Sequence, residues 1–75
     1  MNTDIFKGKW KQFRGKAKVW WGDLTDDQLD RVEGRWDSFV GLLQEKYGYT
    51  RERAEAEVNR RWREFETESE RTPTR

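Results

Sequence analysis

The sequence predicts an all-α protein in which one helical unit occurs twice. The alternation of polar and apolar residues that marks strands is absent, whereas apolar residues recur at helical spacing. The segment Gly-Lys-Trp-Lys-Gln-Phe-Arg-Gly at 8–15 returns as Gly-Arg-Trp-Asp-Ser-Phe-Val-Gly at 34–41. Two units are too few for a solenoid, which needs about three repeats. We therefore expect four helices that form two helical hairpins, packed on each other around a pseudo-two-fold axis.

The composition limits the size of the core and the kinds of site that the chain can hold. A chain of 75 residues forms at most one domain, and it buries only about 60% of its unfolded surface. Because it has no cysteine and no histidine, disulfides and Cys/His metal sites are excluded. Five tryptophans and four phenylalanines must therefore supply the core. Charged residues make up 41% of the chain with a net charge of +1, which is typical of a solvated helical surface.

The first helix is predicted at residues 5–21. Asp4 precedes it and is a candidate N-cap, because a carboxylate can accept hydrogen bonds from the free N–H groups of a first turn. Gly22 follows it, at a position where helices often end in a left-handed conformation. One face of this helix carries the apolar residues Phe6, Trp10, Phe13, Ala17 and Trp21.

The second helix is short, at residues 26–33, and a capping box marks its start. Thr25 takes the N-cap position and Gln28 the N3 position, so that each side chain can accept a hydrogen bond from the other residue's backbone N–H. Gly34 ends this helix and separates it from the third. The inward-facing residues of the second helix are Leu29 and Val32.

The third and fourth helices repeat this design at residues 35–47 and 51–67. Gly48 repeats the terminal glycine, and Thr50 repeats the N-cap threonine. The apolar stripe of the third helix is Trp36, Phe39, Val40, Leu43 and Tyr47. The inward-facing residues of the fourth helix are Ala54, Val58, Trp62 and Phe65.

The fourth helix also has a charged, exposed face, and the chain beyond it lacks core residues. Ion pairs four residues apart are predicted for Arg51–Glu55, Arg53–Glu57 and Arg60–Glu64. Apolar residues are missing from Thr67 onward. We therefore expect one helical domain over residues 1–66 and a disordered tail over residues 67–75.

These residues also resemble a known family. The resemblance rests on Trp-Lys-Gln-Phe-Arg-Gly-Lys at 10–16, Trp-Gly-Asp-Leu-Thr-Asp-Asp at 21–27, Val-Gly at 40–41 and Tyr-Gly-Tyr at 47–49. Over roughly residues 4–62 the chain is similar to the CsbD-like family of small bacterial proteins linked to the general stress response. The resemblance implies a SAM-like fold of two orthogonally packed helical hairpins in a cytoplasmic stress-response setting. It brings no catalytic residue, cofactor or ligand.

Enzymatic chemistry finds little support in these residues. General acid–base catalysis at neutral pH usually needs a histidine or a carboxylate of raised pKa, and the carboxylates here belong to charge-rich helix faces. Ser38 and Ser69 have no partner that could act as a base. An acidic cluster is formed by Asp23, Asp26, Asp27, Asp30 and Glu33. Its spacing is not that of a calcium loop, and helix capping explains part of it. We expect no catalytic residue, no cofactor and no metal.

The basic residues of the first helix suggest a more specific functional hypothesis than the acidic cluster does. The basic flank of this helix, defined as Lys7, Lys11, Arg14 and Lys18, shares one side of the helix over about 16 Å. Such a stripe can contact a phosphate backbone, which predicts an electrostatic nucleic-acid site. The acidic segment 23–33 follows directly, so the two segments can instead neutralise each other. The sequence favours this charge balance, because solvated charged faces are common.

Two glycines and one tryptophan are candidates for contact with a partner. Gly15 and Gly41 lie at equivalent positions inside predicted helices, where glycine costs about 1 kcal/mol relative to alanine. Close helix–helix contact, inside the fold or in a dimer, explains both glycines better than a phosphate backbone does, because only the first helix is basic. Trp20 repeats as the polar Lys46. We expect Trp20 at the edge of the core, with an exposed anchor for a partner as the alternative.

The sequence thus predicts a non-enzymatic protein with two alternative activities. The first is contact with an unknown protein partner, or self-association, through Trp20, Gly15 and Gly41. The second is nucleic-acid binding through the basic flank. No apolar run approaches the roughly 20 residues that a membrane span needs, and no small-molecule substrate is evident. The cytoplasm is the expected location.

Overall fold

The computed structural model describes residues 3–71, and every regular element in that range is a helix. The helices are α1 (Thr3–Gly8), α2 (Trp10–Trp20), α3 (Asp26–Val32), α4 (Trp36–Tyr47) and α5 (Arg51–Arg71). The all-α class predicted from the sequence is confirmed. Helix α4 contacts α1, α3 and α5, and α5 also contacts α2.

The predicted first helix is two helices, so that the described residues form five helices and not four. Lys9 departs from helical geometry, with φ −104° and ψ 11°. It follows Gly8, whose missing Cβ makes a break in a helix less costly. The Lys9 N–H still donates to the Ile5 carbonyl at 3.0 Å, and the Lys9 carbonyl accepts from the Phe13 N–H at 2.9 Å. The buried face therefore continues from α1 into α2.

Two predicted helix ends are wrong. Helix α1 already includes Thr3, so Asp4 lies in its first turn and is not its N-cap. Gly22 does not have the positive φ that was expected of it. The chain leaves α2 one residue earlier, at Trp21, with φ −122° and ψ 79°, while the Trp21 N–H donates to the Ala17 carbonyl at 2.8 Å. Because Trp21 makes the turn while its side chain is buried, Gly22 needs no special conformation.

The capping box at the start of α3 is confirmed. The Thr25 hydroxyl accepts from the Gln28 N–H at 3.2 Å, and the Gln28 side-chain oxygen accepts from the Thr25 N–H at 3.0 Å. The second threonine cap is confirmed as well, because the Thr50 hydroxyl accepts from the Arg53 N–H at 3.1 Å. Gly48 ends α4 with a positive φ of 70°, as predicted. These contacts determine where α3 and α5 begin.

Gly34 makes the closest backbone approach in the turn between α3 and α4. Its φ is +76°, and it follows Glu33, whose φ is +55°. A Cβ at position 34 would lie 3.2 Å from the Lys7 Cα and 3.2 Å from the Trp10 Cβ. Helix α3 therefore ends at Val32, one residue earlier than predicted, with Glu33 as its left-handed cap. Gly34 separates α3 from α4, as predicted, and allows this turn to pack against α1 and α2.

The core is a cluster of aromatic rings around three fully buried phenylalanines. The ring centroids of Phe6, Phe13 and Phe39 lie 5.5 to 6.1 Å apart, within the range that aromatic pairs prefer. Most of the predicted core positions are buried. The exceptions are Trp36 and Tyr47, which are half-buried against the cluster. The other buried aromatic residues are Trp10, Trp21, Trp62 and Phe65.

Helix α5 is longer than predicted and carries most of the expected ion pairs. It continues to Arg71, beyond the predicted end at residue 67, whereas residues 72–75 of the predicted tail lie outside the described residues. The confirmed pairs are Arg51–Glu55 at 3.2 Å and Arg53–Glu57 at 3.8 Å. The prediction for Arg60 is wrong. Its guanidinium pairs with Glu57 at 2.9 Å, because residues three apart are also neighbours on a helix, and Glu64 pairs with Arg61.

Candidate contact surfaces

Half of the basic flank lies against the acidic helix α3. The Arg14 guanidinium donates to the Asp30 carboxylate, and it also donates to the Asp26 backbone carbonyl at 3.3 Å. The Lys18 ammonium lies 2.8 Å from the Asp26 carboxylate. Helix α3 therefore neutralises Arg14 and Lys18, the two members of the basic flank nearest to it.

Asp26 is held in this contact by the start of α3. It is the first helical residue after the Thr25 cap, so the capping box fixes where its side chain begins. The hydrogen bond from Lys18 and the Lys18 charge hold the pKa of the Asp26 carboxyl below its ordinary value, and Arg14 adds a smaller effect. Asp26 and Lys18 are exposed and Arg14 is half-buried, so salt screens these ion pairs and reduces their contribution to stability.

The positive charge that remains on the N-terminal helices is concentrated at the junction of α1 and α2. Among the side chains described, those of residues 3–68, no carboxylate lies at ion-pair distance from the ammonium groups of Lys7 and Lys11. The same holds for Lys9, which lies between the two helices. Lys16, farther along α2, pairs with Glu68 of α5.

The two glycines at equivalent positions are not used for packing within the fold. Gly15 and Gly41 are both exposed, and a Cβ added to either would meet nothing within 4 Å. Close contact between helices inside the fold was one of the two packing explanations, and the open space excludes it. The fold therefore gives no reason for glycine at either position.

Gly15 belongs to a larger exposed surface that sequence reasoning missed. We define the outward face of α1 and α2 as Ile5, Gly8, Gln12, Gly15 and Val19, all of which are exposed. Val19 is 78% exposed and Ile5 is 44% exposed, and these are the large apolar side chains that the described residues leave in solvent. The sequence signal for this face was the distance between its members, which is three and four residues in turn. This spacing places them on the side of the helix opposite Phe6 and Phe13.

Trp20 lies at the edge of the core. It is half-buried, and its ring centroid lies 5.7 Å from that of Phe13 and 6.0 Å from that of Trp21. The Arg61 guanidinium lies 5.5 Å from the Trp20 ring centroid, in the geometry of a cation–π contact. Trp20 therefore packs against residues of its own chain, and only the rest of its surface is open to a partner.

A tyrosine stack joins the end of α4 to the loop before α3. The rings of Tyr47 and Tyr49 lie 5.5 Å apart with an angle of 19° between their planes. The Arg53 guanidinium lies 4.9 Å from the Tyr49 centroid, and the Tyr47 hydroxyl accepts from the Asp23 N–H at 3.4 Å. The sequence signal was the pair of tyrosines around Gly48, but the pairing of their rings depends on the turn. These contacts therefore link the loop between α4 and α5 to the loop between α2 and α3.

A shallow groove of about 270 Å³ lies between α3 and α4. Gly41 and the half-buried Leu42 form part of its wall. The rest is formed by Val32 and by polar and charged side chains, namely Gln28, Arg31, Ser38 and Glu45. The second exposed glycine thus borders a groove, whereas Gly15 lies on an open helix face.

Acidic clusters and long apolar helices are the features that would indicate a metal site or a membrane span. The acidic side chains of residues 3–68, whose positions the structure describes, do not form a group of three or more that could hold a metal ion, the acidic cluster around α3 included. In the same range, no helix combines the length and the apolar character needed to cross a bilayer.

Comparison with known proteins gives consistent similarities. The CsbD-like family model matches residues 4–56. The UPF0337 protein PA4738 of Pseudomonas aeruginosa is 59% identical over 58 residues, which are 77% of this chain and 89% of that protein. A UPF0337 protein of Bordetella pertussis is 59% identical over 77% of this chain and 88% of its own length. The UPF0337 protein YjbJ of Escherichia coli is 53% identical over 77% of this chain and 84% of its own length. These names assign no activity.

Proposed function

The chain belongs to the CsbD-like family, and from that premise we propose that it is a small non-enzymatic stress-response protein that acts through protein contacts. The stress-response setting and the cytoplasmic location rest on the family resemblance. The non-enzymatic character is supported by the sequence, which contains no histidine and no cysteine. The partner is another protein or a second copy of this chain.

The observation that carries this proposal is the open space around Gly15 and Gly41. Glycine in the middle of a helix costs about 1 kcal/mol relative to alanine. At Gly15 and Gly41 the fold gains nothing in return, because a Cβ would meet nothing within 4 Å. A glycine on a helix surface lets another backbone approach closely. We therefore assign these two positions to contact with a molecule outside the fold.

We further propose that the two halves of the chain are repeated helical hairpins packed at a right angle. The first hairpin comprises α1, α2 and α3, and the second comprises α4 and α5. Support comes from Thr25 and Thr50, which cap the last helix of each half in the same way. Phe13 and Phe39, which match in the repeat, are both fully buried and their rings are 5.9 Å apart.

The proposal is tested by replacing both glycines with alanine in living cells. The host is an Escherichia coli strain that lacks YjbJ, which is 53% identical to this chain over 58 residues. Survival is measured after osmotic shock, heat and starvation, with protein levels matched by immunoblot. We expect the wild-type chain to restore survival and the Gly15→Ala, Gly41→Ala double variant to fail, although alanine favours the helix.

A matched control separates contact from folding. Ala56 is an exposed residue of α5, a helix that carries neither glycine, and Ala56→Gln should restore survival as well as the wild-type chain does. Full protection by the double glycine variant would contradict a role for these positions. Failure of the wild-type chain to protect under all three stresses would contradict the stress-response assignment.

A second candidate function, electrostatic nucleic-acid binding, is favoured by the charge of Lys7 and Lys11, which is unpaired within the described residues. The affinity of such a site for duplex DNA falls with salt, with a log–log slope near −0.9 for each neutralised phosphate. Labelled duplex DNA is titrated with the protein at several salt concentrations. Replacing Lys7, Lys11, Arg14 and Lys18 with glutamine should abolish binding and leave the helices intact. If the wild-type protein does not bind at low salt, this function is excluded.

A further inference from the structure

The outward face of α1 and α2 has the pattern of one half of a helix–helix contact. Its members alternate by three and four residues, so that Gly8 and Gly15 are seven residues apart, as are Ile5, Gln12 and Val19. This is the heptad spacing of two helices that pack side by side at a small angle. The face spans residues 5–19, about four helical turns, and the break at Lys9 divides it into Ile5 and Gly8 on α1 and the other three residues on α2.

The apolar side chains and the glycines of this face are complementary in size. The aliphatic side chains of Ile5 and Val19 stand in solvent near its two ends. Between them, the positions of Gly8 and Gly15 are open, with nothing within 4 Å of an added Cβ. A partner helix with large apolar side chains can fill the space above each glycine, while Ile5 and Val19 pack between the side chains of the partner.

Lysines border this face on both sides. Lys9 and Lys16 lie along one edge, and Lys11 and Lys18 lie along the other. Lys16 and Lys18 pair with Glu68 and Asp26, whereas Lys9 and Lys11 have no carboxylate at ion-pair distance within the described residues. The edge of the face near α1 therefore carries uncompensated positive charge, apart from Asp4 at its start.

These lysines distinguish between three molecules that could cover the face: a second copy of the chain, a nucleic acid and an acidic helix. Two copies packed face to face would place lysine against lysine whether the helices run parallel or antiparallel, and like charges at these positions oppose pairing. A phosphate backbone would gain nothing from Ile5 and Val19, and Arg14 is already bound to Asp30. A helix with an apolar stripe and acidic borders can pack against the apolar residues and pair its carboxylates with the lysines.

We propose that the outward face of α1 and α2 binds an acidic amphipathic helix of about four turns from another protein. The inference rests on the proposed function, and it narrows the partner from any protein to a helix with acidic borders. Gly8 and Gly15 admit the large apolar side chains of the partner, and Lys9 and Lys11 attract its carboxylates.

The test uses a synthetic helical peptide of about three heptads, with leucine at the two core positions and glutamate at the two bordering positions of each heptad. Binding to the purified full chain is measured by fluorescence anisotropy. We expect a dissociation constant in the micromolar range, and a loss of about tenfold or more for Gly15→Gln, whose side chain fills the seam. Ala56→Gln introduces the same side chain at an exposed position of α5, outside this face, and should leave the affinity unchanged.

Three further probes distinguish recognition of an apolar helix from simple attraction between opposite charges. A peptide with lysine in place of glutamate, polyglutamate without leucine, and duplex DNA should each bind at least about tenfold more weakly than the acidic helix. Equal binding of polyglutamate, tighter binding of DNA, or equal affinity of Gly15→Gln and the wild-type chain would overturn the inference. No binding of the acidic helix would also overturn it. The proposed function would survive that result if the double glycine variant still loses stress protection, since another protein partner would then use these glycines.

Discussion

At the scale of single residues, the six glycines differ in the backbone conformation and the packing that the fold requires at their positions. Gly34 and Gly48 have positive φ values of 76° and 70°, which side chains with a Cβ rarely adopt. Gly34 is in addition buried against α1 and α2. Gly15 and Gly41 are ordinary helical residues in open space. Residues that match in the repeat therefore need not match in role, since Gly8 corresponds to Gly34 yet is exposed.

Gly34→Ala should lower the free energy of unfolding by more than Gly48→Ala. Both substitutions place a Cβ on left-handed backbone, which costs about 1–2 kcal/mol. At position 34 the Cβ would also lie 3.1 Å from the Lys7 Cγ and 3.2 Å from the Lys7 Cα, whereas at position 48 it meets nothing within 4 Å. Urea denaturation followed by tryptophan fluorescence measures both variants. Equal losses would mean that the turn at Gly34 is not packed as described.

Trp10→Ala should cost about 3–5 kcal/mol, because it removes a large buried ring from the aromatic cluster. The Trp10 ring centroid lies 5.4 Å from that of Phe6 and 5.5 Å from that of Phe39, and the residue is 6% exposed. Trp36 matches Trp10 in the repeat but is only half-buried, so Trp36→Ala should cost less. The comparison is made by thermal and urea denaturation. A fully folded Trp10→Ala variant would contradict the duplicated core.

At the scale of helices, the sequence predicted what depends on neighbouring residues and missed what depends on distant ones. The capping box of Thr25 and Gln28 is local, and it was found. The break at Lys9 was missed, because the apolar pattern continues across it. The choice of Glu57 over Glu64 by Arg60 was missed because both carboxylates lie within reach on the same helix.

Asp26→Asn should change the dependence of stability on pH. The pKa of Asp26 in the folded protein is lowered below the ordinary 3.8, mainly by the hydrogen bond from Lys18. A carboxyl with a lowered folded pKa stabilises the fold above its unfolded pKa, and this contribution disappears as pH falls through the folded pKa. The wild-type chain should therefore be more stable than Asp26→Asn near neutral pH, and the difference should shrink below about pH 4.

The measurement is urea denaturation of both proteins from about pH 7 to about pH 2.5, at low ionic strength so that salt does not screen the pair. Asp27→Asn is the matched control, because Asp27 lies in the same first turn and forms no ion pair within the described residues. A stability difference with the same pH dependence for Asp27→Asn would show that the effect comes from the turn and not from Lys18.

At the scale of the whole molecule, two copies of one pattern have become different structures. Helix α3 has 7 residues and α5 has 21, although each of them begins after a threonine cap. The charge balance between the basic flank and the acidic segment was visible in the sequence, since both are continuous stretches. The open space around Gly15 and Gly41 was not visible, because it depends on which helix faces remain uncovered after packing.

The central claim is that this fold does not need its two mid-helix glycines, which are kept for contact with another molecule. The most direct test is the free energy of unfolding of Gly15→Ala and Gly41→Ala, measured by urea denaturation against the wild-type chain. We predict that each variant is more stable by about 0.5–1 kcal/mol, because alanine favours the helix and its methyl group meets open space. A loss of stability in either variant would show that the fold itself uses that glycine, and would contradict the account.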